Sequence, residues 1–366
     1  MSNIIQEDHI YVNLDVVNND TLNLSNPLPL NFTESRDNPI FYNPRDYHAS
    51  IVRFYVETPT LPLFIPSIQS GSVNTTIYSF TMQYLNFSFT SDVVWIPQDN
   101  SLPIPSFFSP TNKYYWCYST NYFVDLLNSA LNACYVGLNT AITAGGGVPL
   151  SSSLPPFLEL DTSSGVIVLY GDKSVFDSSL ASPYKLYSNV NTMENLFASA
   201  LPFKYNGLSN PNLSYQYLFI DNNSLNTFLQ GNVSYLQMIS EYPVVGLWSP
   251  VKTIIFTTSQ LPINYTQVGK LQSFSQAGSF QATSNSNETS LIITDYEVQN
   301  ENGFQYKPSI IYFPTAEYRL VSLLGTQPVY NIQLACFWKD KFNNYFPLEI
   351  AHGSCANLKL LFRARS

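Results

Sequence analysis

The sequence predicts an all-β fold, and two observations support this. Short runs rich in Val, Ile, Tyr, Phe and Thr recur along the 366 residues and are separated by Pro, Asn, Ser and Gly, a pattern typical of many short strands joined by turns. Hydrophobic residues make up 45% of the chain, including 26 Tyr and 25 Phe, which is ample for a core and excludes disorder caused by low hydrophobicity. The length allows one large domain or two ordinary ones.

Fourteen segments carry the strand pattern. In chain order they are 10–17, 50–57, 76–89, 157–161, 166–170, 213–221, 235–240, 252–258, 291–298, 309–313, 318–324, 332–342, 345–350 and 357–363. The fourth and fifth are expected to form a hairpin in which Gly165 takes a positive φ angle. Asn343 and Asn344 separate two other candidate strands, and Asn tolerates the positive φ angle that a two-residue hairpin turn requires.

One or two short helices are expected beside the strands. Over 121–134, Phe123, Leu127, Leu131 and Cys134 recur at helical spacing, and Thr120 or Asn121 could cap the start. A weaker helical pattern covers 192–200. Two segments read as connections: the Gly-, Ser- and Pro-rich 144–156 as a flexible surface linker, and 267–290 as a long exposed loop between two strands of a sandwich.

The chain is poor in charge. Only 11% of its residues are charged, with a net charge of -9, against about a quarter in an ordinary soluble protein. Aromatic residues are enriched, and Lys and Glu depleted, where proteins contact each other, so this composition favours a surface covered by other chains. The pI near 4.7 argues against nucleic-acid binding as the main activity.

Targeting signals are not apparent. The N-terminal residues contain neither a basic nor an apolar stretch, so we expect no signal peptide, and the apolar runs are too short to span a membrane. The four cysteines, Cys117, Cys134, Cys336 and Cys355, lie far apart and are expected to be free, buried thiols.

The motifs of enzymes and metal sites are mostly missing. The three histidines, His9, His48 and His352, are scattered, and no Cys-x-x-Cys or His-x-x-x-His spacing occurs. The run of glycines that begins at Gly145 lacks the Lys of a phosphate-binding loop, and no Gly-x-Ser-x-Gly motif is present. We therefore expect no catalytic residues, no metal and no cofactor.

One segment resembles the Asp-Thr-Gly-Ser loop of aspartic proteases. It begins at Asp161, but Ser163 replaces the glycine, and the chain holds no second loop to supply the partner carboxylate. A hairpin turn is the better interpretation, and a hydrolase built across a dimer is the alternative.

Basic residues concentrate near the C-terminus. Five of the 16 cations fall in the last 28 residues: Lys339, Lys341, Lys359, Arg363 and Arg365. A solvated sheet edge and tail is the simpler interpretation. In the functional one, the tail with Lys359, Arg363 and Arg365 faces a packaged genome or an acidic neighbouring subunit.

Four strings in the C-terminal third resemble one group of proteins. They are Lys252 to Pro262, Ile292 to Tyr296, Ile311 to Leu320 and Phe337 to Leu348. Together they are similar to jelly-roll capsid proteins of small eukaryotic DNA viruses, including Polinton-like elements and virophages. The resemblance covers 252–363 well and the remainder only in character.

This resemblance implies an antiparallel jelly-roll β-sandwich, either one elaborated sandwich or two adjacent ones. It also implies a non-enzymatic capsid subunit that self-assembles into the virion shell or vertex, with copies of itself and other capsid proteins as partners. Packaged nucleic acid and a host receptor are further candidate partners. With few charges available, we expect assembly that tolerates salt.

Two questions remain open from the sequence. A receptor- or glycan-binding β-sandwich, with exposed aromatic side chains converging at one loop end, is the alternative function. For the domains, we expect an N-terminal β-rich half at 1–205, containing the helix near 121–134, and a C-terminal jelly-roll half at 206–366, with a single domain as the alternative.

Overall fold

A computed structural model supplies the fold of most of the chain. It describes residues 8–20, 27–69, 72, 74–96, 117, 119–150, 154–161, 163–197, 204–205, 216–218, 227–230, 232–240, 243, 245–264, 266–268, 272–274, 280–282, 288–298, 309–314, 319–340 and 343–365.

Strands dominate the described residues. In chain order they are β1 (His9–Val17), β2 (Leu28–Pro29), β3 (Asn31–Ser35), β4 (Tyr47–Glu57), β5 (Thr75–Tyr84), β6 (Phe87–Val94), β7 (Phe157–Leu160), β8 (Ile167–Asp172), β9 (Lys185–Asn189), β10 (Lys204–Tyr205), β11 (Gln216–Leu218), β12 (Thr227–Gln230), β13 (Val233–Ile239), β14 (Thr253–Thr258), β15 (Thr266–Val268), β16 (Gln272–Phe274), β17 (Phe280–Ala282), β18 (Glu288–Ser290), β19 (Ile292–Glu297), β20 (Ser309–Tyr312), β21 (Val321–Ser322), β22 (Asn331–Lys339), β23 (Tyr345–Pro347), β24 (Glu349–Ile350) and β25 (Cys355–Ala364).

The helices are α1 (Thr120–Ala144), α2 (Lys173–Phe176), α3 (Val190–Thr192) and α4 (Val245–Trp248), with a 3-10 turn at Pro44–Asp46 and a π-helical turn at Met193–Phe197. All strand pairs described are antiparallel.

The chain divides into two compact units. The first comprises Met1–Leu61, Pro250–Gln299 and Lys307–Ser366, and the second comprises Pro62–Ser249 and Asn300–Tyr306. The second unit is therefore largely an insertion between β4 and β14. The boundary expected between 205 and 206 lies inside the second unit. That expectation assumes that each domain is one continuous stretch of sequence, whereas the first unit is built from segments on both sides of an insertion.

The first unit is a jelly roll. One of its sheets has the strand order β1-β25-β4-β20, and the other has the order β19-β14-β22, with β3 and β23 both on the far side of β22. The chain crosses between the two sheets several times, so that each sheet joins strands from distant parts of the sequence. This confirms the predicted all-β, antiparallel jelly-roll class.

The core of the first unit is aromatic. Phe54 on β4 meets Phe256 on β14 edge-on, with ring centroids 4.8 Å apart, and both side chains are completely buried. Phe32 on β3 and Tyr296 on β19 lie within 6.4 Å of the Phe54 ring. Each such side chain contributes about 1.5–3 kcal/mol through the apolar surface it removes from water, so these contacts hold the two sheets together.

The second unit combines two sheets with α1. Its sheets have the orders β10-β11-β9-β5-β6 and β12-β13-β8-β7. The Sγ of Cys134 on α1 lies 3.4 Å from the carbonyl of Phe80 on β5 and 3.1 Å from that of Phe89 on β6. On its other side α1 meets β7, where Asn128 bonds the backbone of Leu158. The helix is thereby attached to both sheets.

Helix α1 confirms the predicted apolar stripe, but it is longer than the helix predicted over 121–134. The stripe residues Phe123, Leu127, Leu131 and Cys134 are all buried, and the helix continues to Ala144 instead of ending at 134. Ser119, not Thr120 or Asn121, caps the start by accepting a hydrogen bond from the amide of Tyr122. Packing against the sheets outweighs the weak helix propensity of the later residues.

Some predicted elements need correction. The single strand expected over 76–89 is a hairpin of β5 and β6, which turns at Leu85 with a φ angle of 52°. Segment 267–290, expected to be one loop, contains the short paired strands β15 with β18 and β16 with β17. Strands β3 and β9 are among those that were not predicted. The helical pattern at 192–200, by contrast, is confirmed over its described part, where α3 continues directly into the π-helical turn and the two together cover 190–197.

Both predicted turn positions have positive φ angles. Gly165 has a φ angle of 69° in the turn between β7 and β8, and Asn343 has a φ angle of 62°. The second turn is longer than the two residues expected, because β22 and β23 pair only up to Lys339 and Tyr345. Its ends are joined by the amide of Asn344, which donates to the carboxylate of Asp340.

Candidate functional site

The predicted basic tail is a central strand of the jelly roll. Leu358, Leu360 and Phe362 of β25 are completely buried, whereas the residues between them point to the opposite face of the sheet. Lys359 and Arg363 lie on this outward face. β25 pairs with β1 on one side and with β4 on the other, so the expectation of a tail or a sheet edge is wrong for these two residues. Only Arg365 follows the strand, and it is exposed.

Strand pairing brings further basic side chains onto this face. Lys359 lies opposite Arg53 of β4, and Arg363 lies between His9 of β1 and His48 of β4. Sequence reasoning missed Arg53 and both histidines because it could not supply the pairing of β4 with β25, which is shifted by a bulge beside Lys359. The alternation of apolar and polar residues along β25 was the sequence signal that could have placed Lys359 and Arg363 on one face of a strand.

The outward face defined by β1, β25 and β4 is called the basic face below. It joins only part of the cluster seen in the sequence: Lys339 belongs to β22 in the other sheet, and Lys341 lies outside the described residues.

Two cations at the centre of the basic face are held by uncharged partners. The Lys359 ammonium lies over the ring of Tyr11, 4.7 Å from its centroid. The Nε of Arg53 donates to the Oδ1 of Asn357 at 3.0 Å, and the Nδ2 of Asn357 donates in turn to the carboxylate of Asp15. The side-chain amide of Asn357 thus lies between the Arg53 guanidinium and the Asp15 carboxylate.

The end of the basic face near the C-terminus carries Arg363 and Arg365. Burial, and then the charges of Arg365 and Arg363, lower the pKa of His48. The Nδ1 of His48 lies 3.2 Å from the hydroxyl of Ser322. The guanidinium of Arg365 donates to the carbonyl of Leu323 at 2.8 Å, which fixes the last cation beside β21.

Asp161 is a turn residue. Its carboxylate accepts hydrogen bonds from the amide and hydroxyl of Ser163 and from the hydroxyl of Ser164. These bonds hold the pKa of Asp161 at about 2, so the group is an ionised acceptor at neutral pH. An aspartic protease requires two carboxylates that share one proton, whereas the hydrogen bonds described for the Asp161 carboxylate all come from Ser163 and Ser164 of its own turn.

The cysteines confirm the prediction of free thiols. Cys117, Cys134 and Cys336 are buried, and Cys355 is half-buried. Burial raises the pKa of Cys117 and of Cys134 to about 12, which keeps these thiols protonated and unreactive. No group of three potential metal ligands occurs within the described residues. In that same part of the chain, no helix combines the length and the apolar character needed to cross a bilayer.

Several large apolar side chains are exposed in the first unit. Ile311 and Phe313, at the end of the edge strand β20, are 57% and 61% exposed, and Tyr42 is 57% exposed. Tyr42 follows Phe41, which bridges to Val329 beside the exposed Tyr330. A receptor- or glycan-binding role for such aromatics remains a prediction.

Comparison with known proteins matches nearly the whole chain to one protein family. The family model described as Sputnik minor capsid protein V18/19 matches residues 10–364. Structural protein V19 of Sputnik virophage is 26% identical over 211 residues, which are 56% of this chain and 93% of that protein. Uncharacterized protein V18 of the same virophage is 33% identical over 130 residues, which are 32% of this chain and 77% of that protein.

Solved structures agree with these matches. A chain of the Sputnik virophage particle, solved at 3.5 Å by electron cryo-microscopy, superposes with a TM-score of 0.80 and 26% identity, covering 98% of both chains. The mavirus penton protein superposes with a TM-score of 0.63 and 18% identity, covering 98% of this chain and all of that one, which shows a shared fold. The resemblance seen in 252–363 is confirmed and extends over nearly the full length.

Proposed function

Because the chain belongs to the Sputnik minor capsid protein V18/19 family, whose members are structural proteins of the virion, we propose that this capsid protein is the vertex subunit and acts as a closed ring of identical copies. The match of a minor capsid family to residues 10–364 carries the proposal. A minor component fills few positions in a shell, and the vertices are the few positions whose symmetry differs from that of the faces. The penton name of the mavirus protein with the same fold supports a pentameric ring.

The surface of the first unit suits such a ring. A cyclic ring requires two different patches on each copy, which contact each other head to tail. Ile311 and Phe313 form one exposed apolar patch at the edge strand β20. Exposed apolar side chains on a protein with 11% charged residues favour burial against a neighbour. We assign this patch to the contact between copies.

Light scattering coupled to size-exclusion chromatography, followed by negative-stain microscopy, tests the ring. We expect a particle of about five times the 41.3 kDa chain mass and a ring-shaped image. A strict monomer at all concentrations, or a trimer, would contradict the vertex assignment.

Substitutions then locate the contact. Phe313→Asp places a charge on the patch and is expected to dissociate the ring into monomers that keep their fold. Val148→Asp introduces the same charge at a residue that is 83% exposed in the connection after α1, and this control should leave the ring intact. A ring unaffected by Phe313→Asp would place the contact elsewhere.

A further inference from the structure

We propose that the basic face of the first unit binds the phosphate backbone of nucleic acid without regard to base sequence. This inference goes beyond the vertex role, since it concerns the cations of β25 and β4 and not the apolar patch on β20, the neighbouring strand of the same sheet, and it can be tested on the single chain. It rests on the position, the pairing and the orientation of the cations that strand order brings together.

Basic side chains form two rows across the strands, and their permanent charges are those of Lys359 and Arg53 in the first row and Arg363 in the second. Lys359 and Arg53 lie side by side in one row, and Arg363 lies in the other with His9 and His48. Arg363 lies four positions after Lys359 in extended chain, a distance of about 13 Å along the strand. Arg365 lies two positions after Arg363, beyond the end of β25. Spaced positive charges of this kind match a ladder of phosphates rather than one small anion.

The central cations are not neutralised within the described part of the chain. The ion pairs in that part of the chain join Arg36 to Glu34 and Lys173 to Asp177. They do not include Lys359 or Arg53. Asn357 lies between Arg53 and Asp15, where a direct ion pair would otherwise form. Glu57, at the same end as Asp15, accepts a hydrogen bond from the amide of Cys355. Asp15 and Glu57 thus lie at one end of the face, and Asp8 and Asp46 lie beside its other end, where their carbonyls accept from the amides of Ala364 and Arg365. Lys359 and Arg53 lie between these two ends.

The side chains are also held in place before any ligand arrives. The ring of Tyr11 supports the Lys359 ammonium, and the amide of Asn357 fixes the Arg53 guanidinium. Long basic side chains that are already ordered lose less conformational freedom on binding. The net charge of -9 does not prevent binding of an anion, because salt at about 0.1 M screens charges that lie more than about 10 Å away. The charges on the basic face itself then determine the interaction.

Nucleic acid fits this face better than an acidic protein does. A stable protein contact is centred on buried aromatic or aliphatic anchors with a polar rim. Here the centre is charged, Leu361 between the two rows is already half-buried, and the Tyr11 ring, which is 54% exposed, has the Lys359 ammonium over one of its faces. Phosphate contacts need only oriented donors and charge, and they carry no sequence information.

Fluorescence anisotropy of the full chain with a labelled DNA duplex of about 20 base pairs tests the proposal across a range of salt concentrations. If the four Lys and Arg side chains each contact a phosphate, the logarithm of the binding constant should fall against the logarithm of salt with a slope of about -3 to -4. The double variant Lys359→Gln with Arg363→Gln should reduce this slope by about 2. Two duplexes of different sequence should bind equally.

Matched variants separate charge from folding. Lys185→Gln removes an exposed cation at the start of β9 in the second unit and should change nothing. Arg53→Gln should weaken binding whereas Arg53→Lys should retain it, with thermal unfolding checked for each. The proposal is overturned if DNA does not bind at an ionic strength of about 0.1 M, where the Debye length is about 10 Å. It is also overturned if Lys185→Gln weakens binding as much as the double variant, or if poly-glutamate binds the face as tightly as DNA.

Discussion

Asn128 of α1 completes the hydrogen bonding of Leu158 in the edge strand β7. The Nδ2 of Asn128 donates to the Leu158 carbonyl at 2.9 Å, and the Oδ1 of Asn128 accepts from the Leu158 amide at 2.7 Å. Leu158 pairs with Leu169 of β8 on its other side. One side chain thus replaces a neighbouring strand at an otherwise open sheet edge.

Asn128→Ala should therefore destabilise the second unit. The substitution leaves one buried amide and one buried carbonyl without partners, at a cost of about 1–3 kcal/mol in the free energy of unfolding. Urea denaturation measures this change. Asn132→Ala, at an exposed position of the same helix, should stay within about 0.5 kcal/mol of the parent protein. Equal losses of unfolding free energy in the two variants would show that the Asn128 hydrogen bonds to Leu158 do not stabilise the second unit.

The two faces of β25 predict different responses to the same truncation. Leu358 is completely buried in the core, whereas Leu361 is half-buried on the outward face. Leu358→Ala should lower the free energy of unfolding by about 2–5 kcal/mol, through lost apolar burial and a residual cavity. Leu361→Ala should cost clearly less. Thermal and urea unfolding of the pair test the assignment of faces, and a larger cost at Leu361 would contradict it.

His48 should make folding sensitive to mild acid. Its pKa is lowered in the folded state by burial and by Arg365 and Arg363, so the unfolded chain binds more protons as the pH falls through about 6.5. Stability should consequently fall between about pH 7 and pH 5. His48→Gln should flatten this part of the stability profile, whereas His352→Gln, at an exposed turn, should not. An unchanged slope for His48→Gln would exclude His48 as the titrating group.

Asp161 should support a turn and no hydrolysis. Its low pKa arises from three hydrogen bonds within the hairpin, so the carboxylate stays ionised well below neutral pH. We expect the purified protein to leave peptide substrates intact at acid pH. We also expect Asp161→Asn to speed hydrogen exchange at the Ser163 amide, which donates to this carboxylate. Acid-pH cleavage that disappears in Asp161→Asn would instead establish the hydrolase alternative.

Assembly and nucleic-acid binding should differ in their response to salt. Contacts between copies that depend on apolar and polar uncharged groups should persist from low to high ionic strength, because salt mainly screens charges. Binding through the basic face should weaken steeply over the same range. Light scattering and anisotropy on one preparation compare the two, and a ring that dissociates as salt rises would contradict an uncharged interface.

Local patterns in the sequence were sufficient for the fold class and for several elements. Alternating apolar residues, turn residues such as Gly165 and Asn343, and the stripe from Phe123 to Cys134 each act over a few neighbouring positions. Short-range sterics and burial dictate these features, so a single sequence carries them. The strings in 252–363 likewise indicate the capsid family from the amino-acid sequence alone.

Tertiary structure alone decided which distant residues share a surface. Lys359 lies beside Arg53, from the opposite end of the chain, only because β25 enters the sheet between β1 and β4, with a bulge that sets the register. The same closure places β3 beside β22 and separates the first unit into three segments. Strand pairing depends on backbone hydrogen bonds that every residue except proline can both donate and accept, so composition cannot encode it locally, and the basic face exists only in the folded chain.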